Sequence, residues 1–169
     1  MNLDEYLSDK YVIPGTGSRS FAQEPRQKEI LIQLQSWLVA KQVLNENLVV
    51  VSGGSRGWDA WVASMASKAD IPFVLCLPNK GYGEYYWGRA GLMDTFSKMC
   101  AKAQWIEYTM EDVLKKPGLY VNGRHSNFLR NDRMVELGHE FVVYGPTSSG
   151  TKDCLASIKK ANKPWKEFS

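Results

Sequence analysis

The chain has 169 residues, of which 44% are hydrophobic, so it is long enough for one well-buried domain and short for two. Its 21 basic and 18 acidic residues are mixed along the chain and leave a net charge of +3, which supports neither a nucleic-acid-coating tail nor a polybasic membrane anchor. Three widely spaced cysteines form no metal-ligand pattern, and the acidic N-terminus has no long apolar segment. We therefore expect one cytoplasmic domain over residues 1–169, with no membrane span, no bound metal and no cofactor.

Apolar runs alternate with helical stripes along the whole chain. We predict strands at Lys10–Pro14, Val49–Val51, Ile71–Pro78, Gln104–Tyr108 and Phe141–Tyr144. We predict helices at Pro25–Leu44, Trp58–Lys68, Leu92–Ala101 and about Lys152–Ala161, a capped helical turn over Thr109–Gly118, and an arginine-rich helix within Asn122–Val135. This order predicts an α/β fold: a single-domain, Rossmann-like, doubly wound and mainly parallel sheet with helices on both faces.

Turns rich in glycine and hydroxyl groups follow three of these strands. In a doubly wound sheet such turns gather beyond the carboxyl ends of the strands, where the first N–H groups of each following helix lack internal partners. They can therefore bind a phosphate, although each could also be an ordinary strand-to-helix turn. The candidate ligand-binding residues of these turns are Gly17, Ser18, Arg19, Gly53, Gly54, Ser55, Arg56, Asp59, Gly145, Ser149, Gly150 and Thr151.

A cluster of aromatic residues follows the third strand. It contains Tyr82, Tyr85, Tyr86 and Trp87, with Glu84 among them. Such rings stack on a base or sugar in many binding clefts, and they also anchor loops onto the body of a protein. We expect Tyr86 and Trp87 to contact the ligand.

The arginine-rich helix places Arg130 and Arg133 three residues apart, with Asn127 one further turn back. Residues at this spacing share a helix face, so the two arginines could converge on one anion together with Asn131. A solvated helix with internal salt bridges is the alternative explanation, and Asp132 could supply one partner.

Four motifs together resemble a known superfamily. They are T-G-S-R at 16–19, S-G-G-S-R-G-W-D at 52–59, R-N-D-R-M at 130–134 and G-T at 150–151. In this order and spacing they are similar to the SLOG superfamily, above all to its small YpsA-like members of bacteria and phages. The similarity to the Lonely Guy nucleotide hydrolases and to the DNA-processing protein DprA is more distant. The resemblance extends from Val12 to Pro164.

The resemblance implies a Rossmann-like protein that binds a nucleotide or a nucleotide-derived ligand over the strand ends. In the hydrolase branch an arginine four residues before a methionine assists cleavage of the base–ribose bond, and Arg130 before Met134 matches it. That branch also has a glutamate three residues after the threonine of a P-G-G-x-G-T turn, where this chain has Cys154. Asp59, Glu84 or Asp153 would then have to supply the missing carboxylate.

Three functions follow from these patterns. The first is a nucleotide-binding enzyme that hydrolyses the N-glycosidic bond of a nucleoside monophosphate. The second is a nucleotide sensor without catalysis, and the third is a DprA-like protein that binds single-stranded DNA. Because the last needs a basic groove with aromatic residues and the net charge is small, we expect a nucleotide or phosphorylated small molecule as the partner rather than nucleic acid. We also expect a homodimer or a higher homo-oligomer.

Overall fold

The computed structural model describes residues 1–110, 120–121, 124–145 and 148–169. The predicted helical turn over Thr109–Gly118 therefore falls almost wholly outside the described residues. The same is true of Asn122 and Gly123, at the start of the arginine-rich segment, and of Pro146 and Thr147 in the third turn.

The described residues form a parallel six-stranded sheet of β1 (Tyr11–Gly17), β2 (Leu48–Ser52), β3 (Phe73–Leu77), β4 (Trp105–Tyr108), β7 (Phe141–Tyr144) and β8 (Trp165–Phe168). The order of these strands across the sheet is β4-β3-β2-β1-β7-β8. A separate short antiparallel pair consists of β5 (Tyr120–Val121) and β6 (Arg124–His125). Because β1 pairs with β2 on one side and β7 on the other, the strand order reverses at β1.

Helices cover both faces of the sheet. They are α1 (Leu3–Leu7), α2 (Gln27–Leu44), α3 (Trp58–Lys68), α4 (Met93–Lys102), α5 (Ser126–Leu137) and α6 (Ser149–Lys160). A 3₁₀ turn at Arg19–Gln23 follows β1, and a π-helical turn at Glu84–Gly88 follows β3. The α/β, Rossmann-like, doubly wound fold predicted from the sequence is thus confirmed.

Successive side chains of the strands enter different layers of the core. Ile13 and Val50 pack on one face with α2, α3 and α4, whereas Val12, Val49 and Val51 pack on the other with α1 and α5. The central strands are apolar on both faces because helices cover both, as is typical of parallel sheets. This arrangement fixes the carboxyl ends of β1, β2 and β7 as one rigid rim.

Several elements of the structure were not predicted from the sequence, and others have different bounds. The short strands β5 and β6 are among the elements not predicted, and Arg124 and His125 of β6 fall within the segment expected to contain the arginine-rich helix. The C-terminal strand β8 was not predicted, because only Phe168 of its four residues is buried and the other three are exposed. Helix α1 has five residues, too few for a helical pattern to stand out. Strand β1 continues to Gly17, beyond the predicted end at Pro14, because it pairs there with β7. Within the described ranges, no helix has the length and apolar character needed to cross a membrane.

Candidate functional site

A cavity of about 410 Å³ opens where the strand order reverses, over the ends of β1 and β7. Ligands of open parallel sheets bind at such a reversal point. The N-terminal turns of α3, α5 and α6 all contribute to its walls. The lining residues are Thr16, Gly17, Ser18, Arg19, Ser55, Asp59, Tyr82, Tyr86, His125, Asn127, Phe128, Arg130, Asn131, Ser148, Ser149, Gly150 and Thr151.

The first turn of α6 forms a hydroxyl-rich end of the cavity. Ser148 caps the helix: its Oγ accepts from the backbone N–H of Thr151 at 3.4 Å and lies 2.7 Å from Thr151 Oγ1. Asn131 of α5 donates its Nδ2 to the carbonyl oxygen of Gly150 at 3.1 Å, which ties the two helices together. The remaining N–H groups of this turn and the positive end of the helix dipole favour an anion here.

Arg130 is a buried cation in the cavity wall, with only 6% of its surface exposed. Its Nη1 donates to the carbonyl oxygen of Gly53, and its Nε donates to Asn131 Oδ1 at 3.1 Å. Burial opposes its charge, but neighbouring Tyr82 and Asp59 raise the pKa of Arg130 above its ordinary value. The guanidinium is therefore charged and fixed in orientation.

The surroundings of Gly53 explain why the S-G-G-S-R-G-W-D motif has glycine at this position. A Cβ atom on Gly53 would lie 2.6 Å from Arg130 Nη1 and 2.8 Å from Asp59 Oδ2. Any larger residue would push both charged groups out of place, since real Cβ contacts are not this short. Gly53 thus acts behind the cavity wall, by allowing Arg130 and Asp59 to approach the end of β2.

Asp59 is the one acidic residue among the described residues that line the cavity, and it is only 4% exposed. Its Oδ2 accepts a hydrogen bond from Ser55 Oγ at 2.8 Å, while its Oδ1 has no hydrogen-bond partner. Burial raises the pKa of Asp59, and the positive charge of Arg130 opposes this rise only in part. The carboxyl group is therefore a poorly solvated acceptor beside a fixed cation.

Aromatic side chains form another wall. Tyr82 is buried and Tyr86 is half-buried, with their ring centroids 4.7 Å apart. The guanidinium carbon of Arg19 lies 5.4 Å from the centre of the Tyr86 ring, and Asn127 Nδ2 donates to Tyr86 Oη at 3.5 Å. This wall offers a flat π surface beside a cation, a combination suited to a base.

The structure separates Arg133 from the cavity. Its guanidinium donates to Glu107 at 3.1 Å, to Asp4 at 2.9 Å and to Glu136 at 3.2 Å. The structure does not bring Arg130 and Arg133 together on one anion, because carboxylates of α1, β4 and α5 hold the Arg133 guanidinium away from the cavity. Arg133 therefore belongs to a salt-bridge network, but two of its three partners come from α1 and β4 and only Glu136 lies on its own helix.

Trp87 is also placed differently from the prediction. Its ring is only 3% exposed, lies outside the cavity lining and packs against Phe96 at a centroid distance of 5.6 Å. The indole Nε1 donates to the carbonyl oxygen of Gly54 at 2.8 Å. Trp87 therefore anchors the π-helical turn to the second glycine turn, whereas its neighbour Tyr86 reaches the cavity.

Several other predicted residues lie outside the cavity lining. Glu84 is exposed on the π-helical turn, and Asp153 lies further along α6. Arg56 lines a neighbouring groove, and Gly145 supports the rim with a φ of +61°. Of the three carboxylates proposed for catalysis, only Asp59 is in the cavity. Cys154 is fully buried, and desolvation raises the pKa of its thiol to about 12.

Some lining residues carried no assigned role in the sequence interpretation. Tyr82 was noted only as a member of the aromatic cluster, and Ser148 and His125 were not singled out. The Nδ1 of His125 accepts from the backbone N–H of Asn127 at 3.0 Å and caps α5. Burial and Arg130 lower its pKa, so the ring is neutral near pH 7.

Comparisons with known proteins define the class of fold. No protein-family model and no curated protein matches the chain. The chain is similar to the solved structure of DNA processing protein A (DprA) from Helicobacter pylori, with 18% identity, a TM-score of 0.66, and coverage of 96% of this chain and 67% of that one. It is also similar to DprA from Streptococcus pneumoniae, with 16% identity, a TM-score of 0.62 and coverage of 98% of this chain.

A third similar structure is that of the protein TM1055, with 16% identity, a TM-score of 0.56, and coverage of 92% of this chain and 72% of that one. Identities this low show a shared fold alone. The fold shared with DprA is the Rossmann-like fold that the SLOG resemblance implies, so that expectation is confirmed for the fold. The chain spans about half of the S. pneumoniae protein, 52% of its length.

Proposed function

We propose that the protein binds a nucleoside phosphate in the 410 Å³ cavity. The observation that carries this proposal is the combination of a helix N-terminus with an aromatic wall in one cavity. The first turn of α6 supplies N–H and hydroxyl donors for the phosphate, and Tyr86 with Arg19 supplies a surface for the base. The volume lies within the range of small-molecule sites.

Gly150 offers a sharp test, because a Cβ atom built on it meets nothing within 4 Å. Replacement of Gly150 by Asp places a carboxylate in the first turn of α6. There it interacts favourably with the helix dipole but repels a phosphate. Replacement by Ala adds the same Cβ without the charge. Both variants should fold, and the alanine should stabilise the protein by up to about 1 kcal/mol.

The measurement is calorimetric titration with AMP, GMP, CMP and UMP. We expect at least one of them to bind the wild-type protein and the Gly150→Ala variant with similar affinity, and to bind Gly150→Asp at least about tenfold more weakly. A panel in which no nucleotide binds the wild type would overturn the proposal. If Gly150→Asp and Gly150→Ala bind the nucleotide with equal affinity, the phosphate does not bind at the first turn of α6.

Hydrolysis of the N-glycosidic bond is a further step of the same proposal. It is supported by the position of Asp59 in the cavity wall, close to Arg130, because a carboxylate near the sugar stabilises an oxocarbenium-like transition state. Chromatography of the nucleotide after incubation separates the alternatives. If the wild-type protein releases free base and Asp59→Asn does not, the protein is a nucleotide hydrolase. If the wild-type protein leaves the nucleotide intact, the protein is a sensor.

A second candidate function is the binding of single-stranded nucleic acid, and a groove beside the cavity favours it. Two adjoining hollows of about 230 and 640 Å³ run between α3, α4 and the 3₁₀ turn, and they share Ala60, Ser64, Trp87 and Thr95. Five cations line them, and the described lining contains no Asp or Glu: Arg19, Arg56, Lys68, Lys98 and Lys102. The similar protein of H. pylori is described as binding single-stranded DNA.

This second function is tested by the fluorescence anisotropy of a labelled oligothymidine. If the groove binds the strand, replacing both Lys98 and Lys102 by Gln should weaken binding and reduce its salt dependence. Replacing Lys159 and Lys160 of α6 by Gln is the matched control, because it removes the same charge elsewhere on the surface. If both double substitutions weaken oligothymidine binding equally, the strand is held only by non-specific charge attraction.

A further inference from the structure

Two buried oxygen atoms in the walls of the cavity lack hydrogen-bond partners. They are Asp59 Oδ1, in the first turn of α3, and Asn127 Oδ1, in the first turn of α5. Leaving a buried acceptor unpaired costs free energy comparable to a lost hydrogen bond, so such atoms often mark a place where a partner binds. Both are screened from solvent, so a partner reaches them after a side-chain rotation.

The chemistry of these two atoms selects the kind of partner. The other polar atoms of both groups are engaged, Asp59 Oδ2 with Ser55 and Asn127 Nδ2 with Tyr86. A phosphate oxygen cannot satisfy them, because it offers no proton and the carboxylate repels it. A hydroxyl group can, since it donates to a carboxylate and also accepts from a protonated carboxyl. Two hydroxyl groups would therefore satisfy the two acceptors, and the N–H groups of a base are the other neutral donors of a nucleotide.

The remaining walls determine which part of a nucleotide carries these hydroxyls. The phosphate has its donors at the first turn of α6, and the base has the Tyr86 ring. Asp59 and Asn127 are left for the sugar between them. Resting on the proposed nucleotide binding, we propose that the cavity selects ribonucleotides over 2′-deoxyribonucleotides through contacts of Asp59 and Asn127 with the vicinal hydroxyls of ribose.

The experiment compares matched pairs of ligands: AMP with dAMP, GMP with dGMP, CMP with dCMP, and ribose 5-phosphate with 2-deoxyribose 5-phosphate. A site built to bond a hydroxyl rejects the analogue that lacks it, because its own polar group is left unpaired. We expect each ribose compound that binds to do so at least about tenfold more tightly than its deoxy partner.

Two variants assign this preference to the named residues. Asp59→Ala removes both oxygen atoms of the carboxyl group, and Asn127→Ala removes the amide of a side chain that is only partly buried. Each should reduce the ribose preference to below about threefold, with little loss of affinity for the deoxy compound. Glu84→Gln is the control for loss of one negative charge, because Glu84 is exposed and outside the cavity lining; it should keep the full preference.

The outcomes separate this inference from the function on which it rests. Equal affinity of the wild-type protein for both members of every pair overturns the inference and leaves nucleotide binding standing. A ribose preference that survives in both Asp59→Ala and Asn127→Ala overturns the assignment to these residues. No binding of any phosphate compound overturns the proposed function itself. The comparison of ribose with deoxyribose compounds needs only the wild-type protein. It can therefore overturn the inference even if a variant fails to fold.

Discussion

The wall of the cavity and the surface behind it contain neighbouring residues of the same type with opposite roles. On α5, Arg130 is buried in the cavity wall, whereas Arg133 is held outside it by three carboxylates. On the π-helical turn, Tyr86 lines the cavity, whereas Trp87 is packed into the core. The lesson is that residue type and spacing predict which groups are available, while their partners on other elements decide which of them face a ligand.

The largest expected effect concerns Trp87. Because its ring is buried and bonded to Gly54, Trp87→Ala should lower the free energy of unfolding by about 3–5 kcal/mol. Tyr86→Ala, on the cavity side of the same turn, should cost much less. Chemical denaturation of both variants checks this, and equal losses would erase the distinction between the two rings.

The next effect separates the two arginines by nucleotide affinity. Arg130→Gln should weaken binding about 10- to 100-fold, because it removes a fixed, desolvated cation from the cavity wall. Arg133→Gln should change the affinity less than about twofold, since its charge is already paired outside the cavity. Titration calorimetry on both variants provides the comparison. Similar losses in the two would mean that α5 affects binding only through its overall charge.

Tyr86 should contribute to affinity through stacking. Tyr86→Ala should cost about 1–3 kcal/mol of binding if the base lies on the ring. Tyr86→Phe keeps the ring and loses only the 3.5 Å contact from Asn127, so its affinity should be close to that of the wild type. If Tyr86→Phe is as weak as Tyr86→Ala, the hydroxyl rather than the π surface holds the ligand.

Arg133 should act on stability instead. Its side chain is 15% exposed and that of Glu107 is 25% exposed, so the pair is partly desolvated. We expect Arg133→Gln to lower the free energy of unfolding by about 1–2 kcal/mol, between the values for surface and buried ion pairs. A double-mutant cycle with Glu107→Gln measures the coupling, and strictly additive losses would contradict the pairing.

The smallest effect is a loss of stability in acid. The hydrogen bonds and the charge of Arg133 hold the pKa of Asp4 below its usual value, although the carboxyl group is exposed. A group with a lowered folded-state pKa stabilises the protein above its unfolded-state pKa, and this contribution is lost as the pH falls through the folded-state pKa. The unfolding free energy of the wild type should therefore drop more steeply below about pH 4 than that of Asp4→Asn. If the unfolding free energies of the wild type and Asp4→Asn fall in parallel with pH, ionised Asp4 contributes nothing to stability.

The sequence predicts those parts of the fold that local chemistry determines. The bounds of α3, Trp58–Lys68, are confirmed because a glycine turn marks its start. The strand β2 follows from its valines, which are buried on both faces. Phe168 shows the limit, since an exposed edge strand is defined by pairing with β7 and not by its own pattern.

The same limit applies to the candidate site. The hydroxyl turn before α6 and the position of Arg130 follow from motifs in the sequence. The carboxylates that hold Arg133 come from distant segments, which the spacing on α5 does not reveal. The cap formed by His125 and the unpaired oxygen of Asp59 likewise depend on the packed structure. The oligomeric state stays a prediction.

The central claim is that this cavity binds a nucleotide, and a crystal structure with the tightest-binding nucleoside monophosphate tests it most directly. We predict phosphate oxygens within about 3 Å of the N–H or hydroxyl groups of the first turn of α6. The base should lie on Tyr86 and the sugar beside Asp59 and Asn127. A nucleotide bound instead in the groove between α3 and α4, with the cavity unchanged, would contradict the account.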